Sequence, residues 1–375
     1  MGFFSRLYAM IVKEARQLRR DRLTFAMMFA LPIMQLVLFG FAINNDPRAL
    51  PAAILSADHT PVTRALTSAI TNTGYFAVVR EVSGEAEAND LLQRGDVQFI
   101  ISVPGNFTRQ LMRHEPAQIL VEADATDPAT IGSALASVNA AVSQTVAQTF
   151  TGPLATYRGQ DSAVTVLVQR RYNPEGITRF NVVPGLLGII LTMTLVMMTA
   201  LGVAREYERG TMENLLAMPV RPLEVMMGKI APYVVIGFVQ VLVVLAAARF
   251  LFAVPFVGSR PLFALATLLF ITVSLAIGFT FSTVAKSQLQ AMQMSVFFLM
   301  PSILLSGFAF PFRGMPRWAQ LIGEALPVTH YLRVVRGIML KGAGLDQVAG
   351  EVVVLAITLL VVGGLAVARY RVTLD

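Results

Sequence analysis

Long runs of apolar residues with almost no acidic or basic side chains dominate this sequence. A run of about 20 such residues is long enough to cross a lipid bilayer as an α-helix. The chain is 55% hydrophobic and only 14% charged, whereas soluble domains average about 25% charged residues. The sequence therefore predicts an α-helical polytopic membrane protein with six transmembrane helices, at residues 23–43, 182–204, 230–253, 262–285, 291–310 and 348–368.

Residues 1–22 precede the first apolar run and carry apolar side chains at helical spacing, with basic residues on the other faces. This pattern predicts an amphipathic helix that lies in the membrane interface. The alternative is an exposed basic tail. The apolar run that follows is longer than the 7–15 residues of a cleaved signal peptide, so we interpret it as a signal anchor.

The basic residues predict the orientation of the spans. Six Lys or Arg residues lie within residues 1–22, and such an excess is typical of cytoplasmic flanks. We therefore expect the N-terminus, the loop at residues 204–229 and the C-terminus in the cytoplasm, with residues 44–179 outside. The segment at residues 311–347 does not follow the rule, because it is an outer loop in this topology and yet holds five basic residues. They are Arg313, Arg317, Arg333, Arg336 and Lys341.

Residues 44–179 have a different character and predict an extracytoplasmic mixed α/β domain. Residues 44–178 hold 9 Arg and 13 Asp or Glu, a net charge of −4 in a chain of net charge +7. Short runs rich in β-branched and aromatic residues alternate with helical patterns, as in α/β folds. We predict strands at residues 52–55, 75–82, 97–103, 118–122 and 164–169, and helices at residues 60–71, 85–94, 107–114 and 129–149.

Catalytic and metal-binding patterns are missing from the sequence. The chain has no cysteine, which excludes disulfides and thiolate metal sites, and none of its three histidines has a partner at H-E-x-x-H spacing. Gly228-Lys229 resembles the end of a phosphate-binding loop, but Leu223 and Ile230 stand where that loop needs Gly and Ser or Thr. We predict that the chain is not itself an enzyme. Its basic residues flank apolar runs, which indicates membrane anchoring and not nucleic-acid binding.

Few ionisable residues fall inside the predicted spans. Arg249 and Glu351 lie near span ends, where long side chains can reach the interface. Proton-coupled transport needs an acid or a histidine within the membrane, so this composition disfavours a secondary transporter. Gln293, Ser302 and Ser306 of the fifth span could line a translocation path, or they could serve interhelical packing and hydrogen bonding.

The loop at residues 204–229 is polar, of mixed charge and helix-prone, with charged side chains spaced to meet on neighbouring turns. Proline then breaks the helical pattern and turns the chain back to the membrane. Such a surface suits contact with another protein; the alternative is an ordinary solvated loop. The residues concerned are Arg205, Glu206, Glu208, Arg209, Gly210, Thr211, Glu213, Leu215 and Pro219.

A second motif follows the fifth span and consists of Gly307, Pro311, Pro316, Trp318, Pro327 and Tyr331. With the order of spans and the large domain after the first one, the two motifs resemble the ABC-2 type family of ABC transporter permeases, in its longer, multidrug-export-like subgroup. By that resemblance, the loop at residues 204–229 corresponds to the ATPase-coupling segment. Residues 311–347 correspond to an outer re-entrant segment.

The resemblance implies a function and a set of partners. It implies a permease subunit of an ABC exporter in a bacterial inner membrane, which moves a drug-like or amphipathic substrate out of the cytoplasm or inner leaflet. It implies a dimer with a second copy or a paralogue, contact with membrane lipid, and separate ABC ATPase subunits that bind ATP and Mg²⁺ while this chain binds neither. A periplasmic adaptor protein is left open as a further partner. The alternative is an ABC-type mechanotransmission or signalling protein that works its outer domain without moving substrate.

Overall fold

The computed structural model describes residues 48–113, 115–149, 164–208 and 222–369. The predicted interfacial helix, the first predicted span and residues 209–221 of the predicted coupling segment lie outside the described residues. The described chain begins with a mixed α/β unit and continues as a bundle of helices.

The α/β unit alternates strands and helices along the chain. In order they are β1 (Leu50–Ser56), α1 (Pro61–Asn72), β2 (Phe76–Val82), α2 (Glu85–Arg94), β3 (Phe99–Val103), α3 (Phe107–Met112), β4 (Ala117–Asp124), α4 (Pro128–Thr149) and β5 (Val164–Arg171). The strands form one sheet in the order β2-β1-β3-β4-β5. All neighbouring strands are parallel except β3 and β4, which are antiparallel.

Helices cover both faces of this sheet. Successive side chains of a strand point to opposite faces, and β3 shows this directly. Phe99 and Ile101 pack with residues of α1, α3 and α4, whereas Ile100 packs with residues of α2 on the other face. The α/β unit therefore has a buried core on each side of its sheet.

Local sequence signals set the ends of these helices. Thr60 caps α1, because its side-chain oxygen accepts a hydrogen bond from the backbone N–H of Thr63 at 3.4 Å. Pro61 follows as the first helical residue, where its missing N–H costs nothing. Gly95 ends α2 in the left-handed conformation, with φ at 80°, which glycine adopts without strain. The predicted helix at residues 85–94 is thus found as α2.

Within the described residues, seven α-helices follow the α/β unit: α5 (Thr178–Glu208), α6 (Pro222–Phe250), α7 (Arg260–Val284), α8 (Gln288–Leu305), α9 (Arg317–Glu324), α10 (Pro327–Arg336) and α11 (Leu345–Arg369). Five of these described helices, α5, α6, α7, α8 and α11, are long and apolar enough to cross a membrane. They agree with predicted spans two to six. α7 is the most buried of the five, while α6 and α11 expose most of their apolar surface.

The fifth predicted span, residues 291–310, was too long at its C-terminal end. α8 ends at Leu305, and Gly307 then takes a left-handed conformation with φ at 81°. The apolar residues Phe308 and Phe310 extended the hydrophobic pattern past the point where the helix stops. The chain continues through a 3₁₀ turn at Phe312–Gly314 into α9 and α10.

α10 packs into the bundle, although it is too short to span a membrane. Tyr331 is fully buried, its ring stacks on Phe270 of α7 with centroids 4.0 Å apart, and its hydroxyl lies 2.9 Å from Thr267 Oγ1. On another side, a Cβ at Gly188 of α5 would lie 3.2 Å from the Tyr331 ring. α10 therefore touches both α5 and α7.

The contact between α5 and α7 depends on a glycine and yields a prediction. A Cβ at Gly278 would lie 2.5 Å from the carbonyl oxygen of Val196, so Gly278→Ala should force the two helices apart and destabilise the protein by about 1–3 kcal/mol. Gly363→Ala on α11 is the matched control, because nothing lies within 4 Å of its would-be Cβ. Thermal stability of the detergent-solubilised protein measures the difference. Equal stability of the two variants would contradict this packing.

Candidate functional site

α5 connects the two regions that the sequence singles out. It begins soon after β5 and runs without a break for 31 residues, from Thr178 to Glu208. At 1.5 Å per residue it is about 46 Å long. α5 packs against α6, α7, α8 and α10. One helix therefore joins the α/β unit to the predicted coupling segment.

The C-terminal end of α5 is bonded to the start of α8. The Glu208 carboxylate accepts hydrogen bonds from the Gln288 backbone N–H at 2.7 Å and from its side-chain amide at 2.6 Å. These bonds hold the pKa of Glu208 below its usual value. Arg205 Nε lies 3.4 Å from Gln288 Oε1. Two residues predicted for ATPase contact thus fasten α5 to another helix of their own chain.

Most of the remaining residues of the predicted coupling segment lie outside the described part of the chain. Glu206 lies in the last turns of α5. Arg209, Gly210, Thr211, Glu213, Leu215 and Pro219 lie outside the described residues. Their contact with an ATPase stays a prediction.

The polar residues of α8 do not share one environment. The Ser302 hydroxyl is buried and donates to the Phe298 carbonyl at 2.8 Å, a bond within its own helix. Gln293 is half-buried. Ser306, at the end of α8, is 3% exposed and lines a cavity. Of the three predicted path residues, only Ser306 lies at this cavity.

The predicted outer motif consists of turn residues and packing residues. Gly307 takes a left-handed conformation, Pro311 precedes the 3₁₀ turn, Pro316 precedes α9, and Pro327 opens α10. Tyr331 is the buried ring described above. Trp318 of α9 is the exception, because it is 39% exposed. These residues set the path of the chain between α8 and α11.

A cluster of charged residues that the sequence analysis missed lies around α10. His330 Nδ1 bonds to Glu351 of α11 and Nε2 lies 2.7 Å from the Glu324 carbonyl. Arg333 binds Glu324 at 2.6 Å and Glu351 at 3.2 Å, and it stacks over the Phe312 ring at 4.7 Å. We expected Glu351 to reach the membrane interface from a helix end. Glu351 does lie in the first turns of α11, and its carboxylate is bonded within this cluster.

The environment of His330 favours its charged form. Burial lowers its pKa, but hydrogen bonds to Glu351 and to the Glu324 carbonyl, with the Glu351 charge, outweigh burial and raise the pKa above the usual value. Both ring nitrogens face acceptors, and both can donate only when the imidazole is protonated. Glu351 is an acid in the first turns of the apolar span α11, and an acid at such a position was the sequence signal for a charged cluster.

A second set of polar contacts ties the α/β unit to the same end of the bundle. Lys341 Nζ lies 2.5 Å from Asp124 Oδ2 and 3.2 Å from the Leu92 carbonyl, and the two charged side chains are 9% and 8% exposed. Gln347 Nε2 donates to Gln93 Oε1 at 2.5 Å. The ends of α2 and β4 are thus fixed to the segment between α10 and α11 and to the first turn of α11.

These contacts explain part of the basic excess at residues 311–347. Arg333 pairs with Glu324 and Glu351, and Lys341 pairs with the buried Asp124, so these two basic residues need not mark a cytoplasmic loop. Between the α/β unit and the bundle they border a cavity of about 310 Å³, which also reaches Ser306, Arg313 and Arg336.

Most of the sequence matches a known family. The description "ABC-2 family transporter protein" fits residues 22–368, which is most of the chain. The chain belongs to the ABC-2 transporter family. This match confirms the resemblance to ABC-2 type permeases that the two sequence motifs indicate.

Relatives of this ABC-2 permease include bacterial and eukaryotic proteins. It is 30% identical over 342 residues to the probable multidrug ABC transporter permease YbhS of Escherichia coli, covering 90% of this chain and 89% of that one. It is 27% identical over 368 residues to the probable multidrug ABC transporter permease YbhR, covering 98% and 99%. ABC transporter G family member 20 of Dictyostelium discoideum is 24% identical over 88% of this chain but only 45% of its own length.

The charged cluster of this ABC-2 permease predicts a pH-dependent stability. Because folding raises the pKa of His330, its contribution is fully present below the unfolded pKa of about 6.5 and is lost as the pH rises through the folded pKa. Thermal melts should show that His330→Gln lowers the melting temperature more at pH 6 than at pH 9. His59→Gln is the control, because His59 is exposed. A pH-independent effect of His330→Gln would refute the charged assignment.

Proposed function

We propose that this chain is the transmembrane subunit of an ATP-driven exporter. The observation that carries the proposal is the unbroken α5, which joins the α/β unit to the segment where the family resemblance places ATPase contact. Separate ABC ATPase subunits bind ATP and Mg²⁺ and hydrolyse the nucleotide. This chain converts their movement into a change in the membrane path.

In this proposal, residues 204–229 face the cytoplasm and the α/β unit faces the other side. ATPase closure displaces the coupling segment and with it the end of α5. The Glu208–Gln288 bonds carry the displacement into α8, and α5 carries it to α10, which packs against it. The α/β unit follows, because Lys341 and Asp124 tie it to the same end.

The finer parts of the proposal follow from the family and from the composition of the spans. A first span at residues 23–43 completes six transmembrane helices, and a second copy or a paralogue completes the path. The substrate is drug-like or amphipathic, consistent with the names of the bacterial relatives. Membrane lipid surrounds the exposed apolar faces of α6 and α11. In a bacterial inner membrane, the α/β unit would be placed to meet a periplasmic adaptor.

Charge reversal in the coupling segment tests the proposal. Glu206 and Glu213 would pair with basic groups of the ATPase, and breaking a desolvated interfacial pair costs on the order of 2–5 kcal/mol. We expect Glu206→Lys/Glu213→Lys to lose at least about tenfold in ATPase affinity and to lose transport-linked ATP hydrolysis. Membrane insertion should be unchanged, because the segment lies outside the spans.

Glu115→Lys/Glu175→Lys provides the matched control. It makes the same change of net charge at two exposed positions, Glu115 just before β4 and Glu175 after β5, and it should retain both activities. Co-purification of the ATPase, ATP hydrolysis and efflux of an amphipathic fluorescent dye are measured together. Normal values in the Glu206→Lys/Glu213→Lys variant would remove the coupling assignment. If the unaltered complex hydrolysed ATP at a normal rate but exported no dye, mechanotransmission would be favoured.

A further inference from the structure

The cavity between the α/β unit and the bundle contains an arginine that is only partly hydrogen-bonded. Arg336 Nη1 donates to the Gly307 carbonyl at 3.0 Å. Its Nε and Nη2 atoms are buried and have no hydrogen-bond partner within the described ranges. Burial lowers the pKa of Arg336, while the charges of Asp127 and Asp124 act in the opposite direction. Since buried charged donors without acceptors are strongly unfavourable, this arrangement indicates that an acceptor belongs there.

A second unpaired group lies in the same cavity. Ser306 is the cap residue directly after α8, and its buried hydroxyl has no partner among the residues that the structure describes. A serine hydroxyl elsewhere in α8 bonds to its own helix, as Ser302 does, but Ser306 does not. Ser306 and Arg336 both line the cavity, so two residues with unpaired donors lie at one space.

The acids of the cavity are mostly committed to other cations. Asp124 pairs with Lys341, and Glu324 and Glu351 pair with Arg333. Asp96 and Asp127 also line the cavity, but neither reaches Nε or Nη2 of Arg336 with a hydrogen bond. Arg313 lies exposed at the same cavity and adds a further positive charge.

The Arg336 guanidinium packs closely against Gly185 of α5. A Cβ at Gly185 of α5 would lie 3.3 Å from Arg336 Nη2 and 2.7 Å from the Phe308 ring. Any larger residue would therefore crowd the arginine. The volume of about 310 Å³ is at the lower end of the range for small-molecule sites, which suits one small anion or one head group.

We propose that this cavity binds a single oxyanion group, a carboxylate or a phosphate. The Nε–Nη2 edge of Arg336 presents two parallel donors, which match the two oxygens of such a group, and the Ser306 hydroxyl is a third donor. The group could be a free solute or the head group of an anionic lipid. Binding is a property of the resting chain, so it does not depend on the proposed export function.

Thermal stability of the full-length protein without ATPase tests the proposal. In neutral detergent, sodium phosphate at constant ionic strength is titrated against sodium chloride. In a second arm, nanodiscs of phosphatidylcholine are compared with nanodiscs that also contain phosphatidylglycerol. We expect saturable stabilisation in at least one arm. Stabilisation by free phosphate identifies a soluble anion, and stabilisation by phosphatidylglycerol alone identifies a head group.

Two variants separate binding from folding. Arg336→Gln and Ser306→Ala should each weaken the stabilisation at least about tenfold, whereas the exposed Arg317→Gln should not. Without ligand, Ser306→Ala should melt no lower than the unaltered protein, because the Ser306 hydroxyl has no hydrogen-bond partner in the described part of the chain. Ser306→Ala therefore decides the matter even if Arg336→Gln fails to fold. No saturable effect in either arm, or an undiminished effect in Ser306→Ala, would overturn the proposal.

Discussion

α5 is the element on which the account depends, because hydrocarbon offers no hydrogen bonds to exposed backbone groups. Within hydrocarbon, only a helix or a closed barrel satisfies the hydrogen bonds of its own backbone. A rigid connection across a membrane between a polar unit and a polar segment therefore requires such an element. α5 has no charged side chain between Arg179 and Arg205. It makes close contacts with α7 at Gly278 and with α10 at Gly188 within the described bundle.

The charged contacts around α10 determine position more than stability. A buried ion pair gains little net free energy, but losing one partner costs about 3–5 kcal/mol because a charge is stranded. Lys341–Asp124 therefore discriminates strongly against other placements of the α/β unit, whereas the contacts of His330 and Arg333 with Glu324 and Glu351 hold α9, α10 and α11 together. Such an interface can be rigid at rest and can still open when other ions, such as a bound anion, neutralise its charges.

Local signals in the sequence were sufficient for most of the helices and strands. Thr60-Pro61 and Gly95 fix the ends of α1 and α2, and uncharged apolar runs predict the five described spans. The same reasoning failed at the end of α8, since hydrophobicity continues past Gly307 while the helix does not. It also failed for the charged cluster and for the pair Asp124–Lys341. Those partners are far apart in the chain, and no periodicity records which acid meets which base.

Labelling of single cysteines tests the central claim that α5 joins regions on opposite sides of the membrane. The chain has no native cysteine, so each introduced thiol reports alone. Ser83→Cys is placed on the exposed turn after β2, and Thr211→Cys in the predicted coupling segment. In intact cells, a membrane-impermeant maleimide should label Ser83→Cys and should label Thr211→Cys only after permeabilisation. Labelling of both thiols in intact cells, or of neither, would place both regions on one side and would contradict the account.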